Sequence, residues 1–200
     1  ITRAAENNRD ALRSRLGVEE GSSFLLVFGG SLGAQRINES IKDLVESWDR
    51  ESIVVHHVIG ERDFNDERFK ASAPTDRVDY RPVEYESDMP EVMTAADLVI
   101  CRAGATTVAE ISIVGVPSIL IPLPNAPGDH QTKNAKELYA CGGAVHLSNG
   151  ELEGNRLKDE VIKILSEKKN LKEMALAVKK QGRPMAASDI ANLVGVHARG

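Results

Sequence analysis

Apolar stretches alternate along the chain with segments in which apolar residues recur every three or four positions. A short run such as 24–28 ends at glycines and is typical of a buried strand. A segment such as 34–48 places Ile37, Ile41 and Leu44 on one face of a helix. The pattern predicts strands at 24–28, 53–59, 78–80, 97–101, 118–123 and 144–147. It predicts helices at 34–48, from 87–91 onward, at 105–114, at 129–140 and from about 152, with a break near 182–184.

Strands that alternate with helices predict an α/β protein with a Rossmann-like, doubly wound parallel sheet, helices on both faces and a helical C-terminal tail. We expect a single domain over residues 1–200, with its core at about 22–166 and C-terminal helices at about 167–198. Ligands of such sheets bind beyond the carboxyl ends of the strands. The loops to consider there are rich in glycine, proline or polar residues, and they lie at 29–33, 85–89, 101–107 and 122–131.

Composition and charge narrow the classes of protein that fit. The 200 residues carry a net charge of −5, which disfavours a general nucleic-acid binder because that class needs a basic face. No apolar run reaches the roughly 18 residues of a membrane span, and the first residues lack a signal-peptide pattern. Cys101 and Cys141 have no zinc-ligand spacing, so we expect free thiols and no metal site. Because the chain does not begin with Met, we expect it to be a piece of a longer protein.

The first motif is a glycine-rich turn between a predicted strand and a predicted helix. Gly29, Gly30 and Gly33 let backbone N–H groups approach a phosphate, and Ser31 adds a hydroxyl donor. Equally, the glycines fit a tight turn that needs them for geometry alone. The spacing is GGxxG, which is neither a dinucleotide fingerprint nor a P-loop.

The second motif spans residues 101–110, where another strand passes into a helix. Gly104 and Ala105 leave the helix N-terminus open, so its N–H groups and positive dipole end can face a diphosphate. Thr107 adds a hydroxyl there, and the carboxylate of Glu110 suits the two hydroxyls of a ribose. Alternatively, Thr107 simply begins the helix and Glu110 is a surface acid.

The third motif lies where the loop at 122–129 passes into a helix. The amides of Gln131 and Asn134 are three positions apart on one helix face, a pairing that suits adjacent sugar hydroxyls. In the alternative interpretation both amides are merely solvated. His130 is a candidate general base, but a lone histidine at a helix start favours a structural role.

The fourth motif is the loop that precedes the helix at 87–91. Tyr85 and Met89 are spaced to sandwich a flat base, with the backbone of Glu86 at its edge. A plain loop with Met89 in the core fits equally well.

Taken together, three segments closely resemble the C-terminal half of the MurG family of peptidoglycan N-acetylglucosaminyltransferases. They are GGSLGA at 29–34, ADLVICRAGATTVAE at 96–110 and PLPNAPGDHQTKN at 122–134. The resemblance implies a GT-B architecture, in which two Rossmann-like domains face each other across a cleft. The C-terminal domain of that family binds UDP-GlcNAc, and the N-terminal domain binds the lipid-linked acceptor against the membrane. Transfer is inverting and needs neither a tightly bound metal nor a cofactor.

The resemblance also implies a role for each motif. Ser31 would contact phosphate, Thr107 would lie at the phosphate-facing helix start, and Glu110 would bind the ribose. Arg102 would surround the uracil together with Tyr85, Glu86 and Met89, and Gln131 and Asn134 would hold the GlcNAc hydroxyls. The implied UDP-sugar site consists of Gly30, Ser31, Gly33, Tyr85, Glu86, Met89, Arg102, Gly104, Ala105, Thr107, Glu110, His130, Gln131 and Asn134.

We therefore expect the donor-binding domain of an enzyme that transfers GlcNAc to the lipid-linked muramyl-pentapeptide precursor of peptidoglycan. The full-length enzyme would lie on the cytoplasmic face of the plasma membrane, with its catalytic base in the N-terminal half. The alternatives are the catalytic subunit of a split glycosyltransferase, another glycolipid sugar transferase, and a nucleotide-sugar-binding module without turnover.

Overall fold

The structure of the protein is a computed structural model that describes residues 9–30, 33–71, 74–153 and 155–197. A six-stranded, wholly parallel sheet has the strand order β3-β2-β1-β4-β5-β6. The strands are β1 (Ser23–Phe28), β2 (Ile53–Val58), β3 (Val78–Val83), β4 (Leu98–Cys101), β5 (Ser118–Leu120) and β6 (Ala144–His146). In this order β1 and β4 are neighbours at the centre of the sheet. The chain adds β2 and β3 on one side of β1 and then β4, β5 and β6 on the other.

The described helices are α1 (Arg9–Arg15), α2 (Gln35–Ser47), α3 (Met89–Ala95), α4 (Ala105–Val114), α5 (His130–Ala140), α6 (Arg156–Ser166), α7 (Lys168–Lys179) and α8 (Ala186–His197). Short 3₁₀ turns lie at Glu67–Phe69, Pro127–Asp129 and Asn149–Leu152. The break expected near 182–184 separates α7 from α8. Over the described residues, no helix is both long and apolar enough to cross a membrane.

Side chains of the central strand alternate between two apolar layers. Leu26 and Phe28 pack with buried residues of α1, α3, α4 and α5, whereas Leu25 and Val27 pack with those of α2 and α6. Both faces of the sheet are therefore covered, which confirms the doubly wound fold. Helix α7 reaches both layers, through Val178 on one side and Met174 on the other.

Strand β3 is longer than the sequence pattern predicts. It extends to Val83 and pairs with β2 along its full length, although it contains Arg81 and Pro82. A proline has no backbone N–H to donate to a neighbouring strand. Strand β3 tolerates Pro82 because it is the edge strand and pairs only with β2. Strand β5 is shorter than expected and ends at Leu120 rather than at residue 123.

Candidate functional site

The carboxyl ends of β1 and β4 lie side by side at the point where the winding direction of the sheet reverses. Phe28, the last residue of β1, pairs with Cys101, the last residue of β4. The glycine turn at 29–34 and the start of α4 therefore emerge from neighbouring strands, about 5 Å apart. Open α/β sheets bind their ligands in this crevice. The structure thus brings together the two segments that the sequence singled out for a diphosphate.

Two of the glycines in the turn are required by packing. A Cβ on Gly29 would lie 2.3 Å from the Cβ of Ala34, and one on Gly33 would lie 2.4 Å from the carbonyl oxygen of Ile59. Gly30 and Gly33 both have positive φ angles, of +105° and +78°, but Gly30 differs in that it is exposed and would place a Cβ in open space. Turn geometry therefore accounts for all three glycines, and the backbone of Gly30 is in addition open to a ligand. Ser31 lies outside the described residues, so its phosphate contact stays a prediction.

The N-terminus of α4 is open toward the same crevice. Gly104 is the N-cap, it has no side chain, and among the described residues no side chain caps the helix. The N–H groups of a first turn have no partners within the helix, and here no described side chain caps them. They and the positive end of the helix dipole are therefore available to a ligand. Ala105 is exposed, and the Thr107 hydroxyl lies 3.7 Å from where a Cβ of Gly104 would stand. This geometry suits the binding of an anion.

Glu110 lies on α4, two residues after the buried Val108, and is half-buried. Within the part of the chain that the structure describes, its carboxylate has neither a hydrogen-bond nor an ion-pair partner. The pKa of the buried Cys101 thiol is raised by burial and by the charge of Glu110, which places the carboxylate near the end of β4. A half-buried carboxylate without a protein partner is available to accept hydrogen bonds from a ligand.

Gln131 and Asn134 hold the peptide groups that precede α4. The side-chain oxygen of Gln131 accepts hydrogen bonds from the N–H of Ala103 at 3.2 Å and of Leu123 at 2.9 Å. The amide of Asn134 donates to the carbonyl oxygen of Ala103 at 3.0 Å. The sequence did not predict this clamp on Ala103. It leaves the amide hydrogens of Gln131 and the oxygen of Asn134 for a ligand, so their contact with a sugar stays a prediction.

His130 begins α5 and is exposed. Its Nδ1 lies 2.7 Å from the carbonyl oxygen of Pro127, and because a carbonyl only accepts, that nitrogen carries the proton. The contact supports a structural role at the helix start. Asn125 precedes the 3₁₀ turn at Pro127–Asp129 and Asp129 ends it, and both have positive φ angles, 59° and 51°, a local backbone strain of the kind that clusters at functional sites.

The loop between β3 and α3 is held in shape by Glu86. Its carboxylate lies 2.8 Å from Nε2 of His56 and accepts the N–H of Asp88 at 2.8 Å. Burial lowers the pKa of His56, although the charge of Glu86 acts in the opposite direction. Tyr85 is 73% exposed, whereas Met89 packs against the core, as the alternative interpretation expected. Contact of Tyr85 with a base stays a prediction.

The side chain of Arg102 is held by the loops that follow β5 and β6. Its guanidinium donates to the carbonyl oxygens of Ile121 and Pro122, both at 3.1 Å, and to Oδ1 of Asn149 at 3.0 Å. All three contacts lie on the β5–β6 side of the sheet. Burial also lowers the pKa of Arg102. The side chain of Arg102 therefore braces the loop after β5, and its expected place around the uracil with Tyr85, Glu86 and Met89 stays a prediction.

A chain of buried polar side chains, which the sequence did not predict, lies behind the glycine turn. His57 lies 3.0 Å from both the hydroxyl of Tyr80 and Oδ1 of Asn38, and Asn38 donates to Asp63 at 2.9 Å. All four residues are buried. Two features of the sequence could have indicated it. Asn38 is a polar residue next to Ile37 on the apolar face of a predicted helix, and His57 is a histidine inside an apolar strand.

Two cavities lie at the opposite end of the sheet. They measure about 580 and 450 Å³ and share Ser23, Glu51 and Leu165 near the amino ends of the strands. Ligands of parallel sheets bind at the carboxyl ends, so we place the candidate site there and not in these cavities. No cluster of three or more potential metal ligands occurs among the described residues.

The sequence matches a known protein family over most of its length. Residues 24–190 match the glycosyltransferase family 28 C-terminal domain. The chain is 37% identical over 190 residues to the UDP-N-acetylglucosamine--N-acetylmuramyl-(pentapeptide) pyrophosphoryl-undecaprenol N-acetylglucosamine transferase of Halothermothrix orenii, a match that covers 92% of this chain and 51% of that enzyme. It is 42% identical over 176 residues to the protein of the same name from Alkalilimnicola ehrlichii, covering 88% and 49%.

A solved structure gives the same result. The crystal structure of Acinetobacter baumannii MurG aligns with a TM-score of 0.80 at 28% identity and covers 96% of this chain and 54% of that chain. The chain spans about half the length of the curated relatives it matches. The family match extends from the first buried residue of β1 into α8 and so includes the crevice and all the loops around it. The chain belongs to glycosyltransferase family 28, as the C-terminal domain of that family.

Proposed function

We propose that this chain is the donor-binding half of a MurG-type N-acetylglucosaminyltransferase and holds UDP-GlcNAc at the carboxyl ends of its strands. The observation that carries the proposal is the open N-terminus of α4 beside the exposed Gly30, with the unpaired carboxylate of Glu110 on the same helix. The names of the relatives from Halothermothrix orenii and Alkalilimnicola ehrlichii support the same donor.

The diphosphate lies between the glycine turn and the first turn of α4. A helix N-terminus offers oriented N–H groups and a positive partial charge, and Thr107 adds a hydroxyl donor. When the sugar leaves, UDP gains negative charge, and donors that are already oriented stabilise that charge without reorganisation. We propose that these groups supply the stabilisation, so that donor binding needs no metal ion and is unchanged by a chelator.

The nucleoside and the sugar occupy either side of the diphosphate. Glu110 accepts hydrogen bonds from the ribose hydroxyls, and the exposed ring of Tyr85 stacks on the uracil. The amide hydrogens of Gln131 and the oxygen of Asn134, which the clamp on Ala103 leaves unused, face the GlcNAc hydroxyls.

The acceptor and the catalytic base belong to the other half of the enzyme. An inverting transfer needs a base that deprotonates the attacking hydroxyl in line with the donor. We propose that the N-terminal half supplies this base, binds the lipid-linked muramyl acceptor and lies on the cytoplasmic face of the membrane. The relatives are about twice as long as this chain, which leaves room for such a half.

Calorimetric titration of this chain tests the proposal. UDP and UDP-GlcNAc should bind, with and without EDTA, whereas NAD should not. Binding of NAD without binding of UDP would instead favour a dehydrogenase. Adenosine diphosphate is the matched control for the base, because it carries the same diphosphate and ribose.

A further inference from the structure

The buried polar residues behind the glycine turn form a chain of hydrogen bonds with one direction. Asn38 donates its two amide hydrogens to the carbonyl oxygen of Ile59 at 3.1 Å and to Oδ2 of Asp63 at 2.9 Å. Its Oδ1 can therefore only accept a hydrogen bond from His57. Nε2 of His57 therefore carries a proton and donates to Asn38. Burial lowers the pKa of His57 to about 3, so the ring is neutral and its Nδ1 accepts from the hydroxyl of Tyr80.

The receiving end of this chain forms the wall against which the glycine turn packs. A Cβ on Gly33 would lie 2.4 Å from the carbonyl oxygen of Ile59 and 3.6 Å from Oδ2 of Asp63. These are the two acceptors that Asn38 holds. Asn38 is itself one turn into α2 and donates its backbone N–H to Ala34, the residue that ends the glycine turn. One side chain therefore links the start of α2, the loop after β2 and the back of Gly33.

We propose that Asn38 and His57 are positioning residues for the donor diphosphate, which set the backbone of the glycine turn before the ligand binds. The inference rests on the proposed function, since it assumes that the turn receives a phosphate. Asn38 and His57 touch no part of the ligand. They act by holding Ile59 and Asp63 in place, so that Gly33 is already in position when the diphosphate arrives.

Energetics favours this role over simple core stability. A buried polar chain gains little over apolar side chains of the same shape, but it fixes a single arrangement of its partners. Asp63 is a carboxylate close to a proposed anion site, and it would repel a phosphate if its charge were uncompensated. Its second oxygen accepts from Nε of Arg62 at 3.1 Å, so the charge is paired on the side away from Asn38.

The test compares UDP with uridine, because only UDP uses the glycine turn. We expect Asn38→Leu, which keeps the branched shape of the side chain but removes the hydrogen bonds, to weaken UDP binding by roughly tenfold or more. Uridine affinity, measured by NMR titration, should change by less than about twofold. His57→Leu should act in the same way. His57→Gln should recover most of the UDP affinity, because the glutamine amide can still donate to Asn38.

Ser40→Ala is the matched control. Ser40 is a buried polar residue on the same helix, but its hydroxyl donates to Arg36 and to Leu152, away from the turn. Its loss should lower the melting temperature and leave the ratio of UDP to uridine affinity unchanged. Equal weakening of UDP and uridine by Asn38→Leu, or unchanged UDP affinity in that variant, would overturn the proposal. If Asn38→Leu fails to fold, Tyr80→Phe removes only the first donor of the chain and takes its place in the same comparison.

Amide hydrogen exchange separates this proposal from the proposed function. If the wild-type chain binds neither UDP nor uridine, the proposed function fails, but the order of the turn is still measurable without ligand. The N–H of Gly33 donates to the carbonyl oxygen of Gly30 at 2.9 Å. We expect its exchange to be about tenfold faster in Asn38→Leu, corresponding to the loss of one hydrogen bond behind the turn. Unchanged exchange would show that the turn is set without Asn38 and would overturn the positioning role.

Discussion

The side-chain oxygen of Gln131 accepts a 3.2 Å hydrogen bond from the backbone N–H of Ala103, which lies 28 positions earlier in the chain. Ala103 directly precedes Gly104, the N-cap of α4, and its carbonyl oxygen accepts from Asn134. The first turn of α5 thus holds the peptide groups that lead into α4. The orientation of the proposed phosphate-binding helix start depends on these two amides.

Substitution of Gln131 should separate the structural contribution of this side chain from its contribution to binding. In Gln131→Glu the carboxylate can still accept the N–H groups of Ala103 and Leu123, so the melting temperature should stay close to that of wild type. The added negative charge and the lost amide hydrogens should weaken UDP-GlcNAc binding by about tenfold. Gln131→Leu leaves the buried N–H of Ala103 without a partner and should lower the free energy of unfolding by about 1–3 kcal/mol.

Urea unfolding and calorimetry measure these two effects. Gln181→Leu, at an exposed position after α7, is the matched control and should change neither the stability nor the affinity. Wild-type stability of Gln131→Leu would show that the clamp on Ala103 is unimportant.

Glu110 should contribute to binding and not to the fold. Because its half-buried carboxylate has no partner among the described residues, removal in Glu110→Ala leaves no protein group unpaired. We expect UDP binding to weaken by roughly 1.5–3 kcal/mol, the range for a hydrogen bond to a charged group, and Glu110→Gln to recover part of that loss. Calorimetry and thermal unfolding check the two effects, with the exposed Glu137→Ala as control. A large loss of melting temperature at unchanged UDP affinity would mean that Glu110 is structural.

His57 should make the stability of the fold depend on pH. Burial lowers its pKa from 6.5 to about 3 in the folded protein. Between these values the unfolded chain binds a proton that the folded chain does not, so stability is lost as the pH falls from 6.5 toward 3. The contribution approaches about 1.4 kcal/mol per pH unit in that window.

Urea unfolding between pH 6.5 and 5 measures this effect. We expect the free energy of unfolding of His57→Gln to fall less steeply with acid than that of wild type. His146→Gln, which changes a half-buried histidine on β6 outside this network, should keep the wild-type slope. Equal slopes for wild type and His57→Gln would contradict a neutral, buried His57.

The chain alone should not transfer sugar to a lipid acceptor. Correct positioning of the reactants accounts for about 7–11 kcal/mol of a barrier, and here the acceptor hydroxyl and its base are assigned to the other half. Transfer of GlcNAc to a short-chain lipid intermediate should be undetectable with this chain and restored by an added N-terminal domain. Sustained turnover by the chain alone, abolished by His130→Ala, would favour a self-sufficient enzyme. Donor binding without turnover in either assay would favour a pure binding module.

The order and type of the elements followed from the sequence because periodicity reports burial locally. Apolar runs of four to six residues marked strands buried on both faces, and Ile37, Ile41 and Leu44 marked the buried face of α2. Since the carboxyl ends of parallel strands share one edge, the sequence also located the crevice. Strand β3 was underestimated, because whether a strand tolerates Pro82 depends on its place at the edge of the sheet.

Side-chain partners were decided by the tertiary structure alone. Gln131 binds Ala103, Arg102 binds the loop after β5, and His57 binds Asn38, across 28, 19 and 19 positions of sequence. A motif states which atoms a side chain can offer, but not which of them the fold already uses. In a close-packed interior a buried polar atom needs a partner, and the nearest one is set by how helices and loops pack on the sheet. The sequence therefore located the candidate site, and the packing of distant segments determined which of its atoms remain for a ligand.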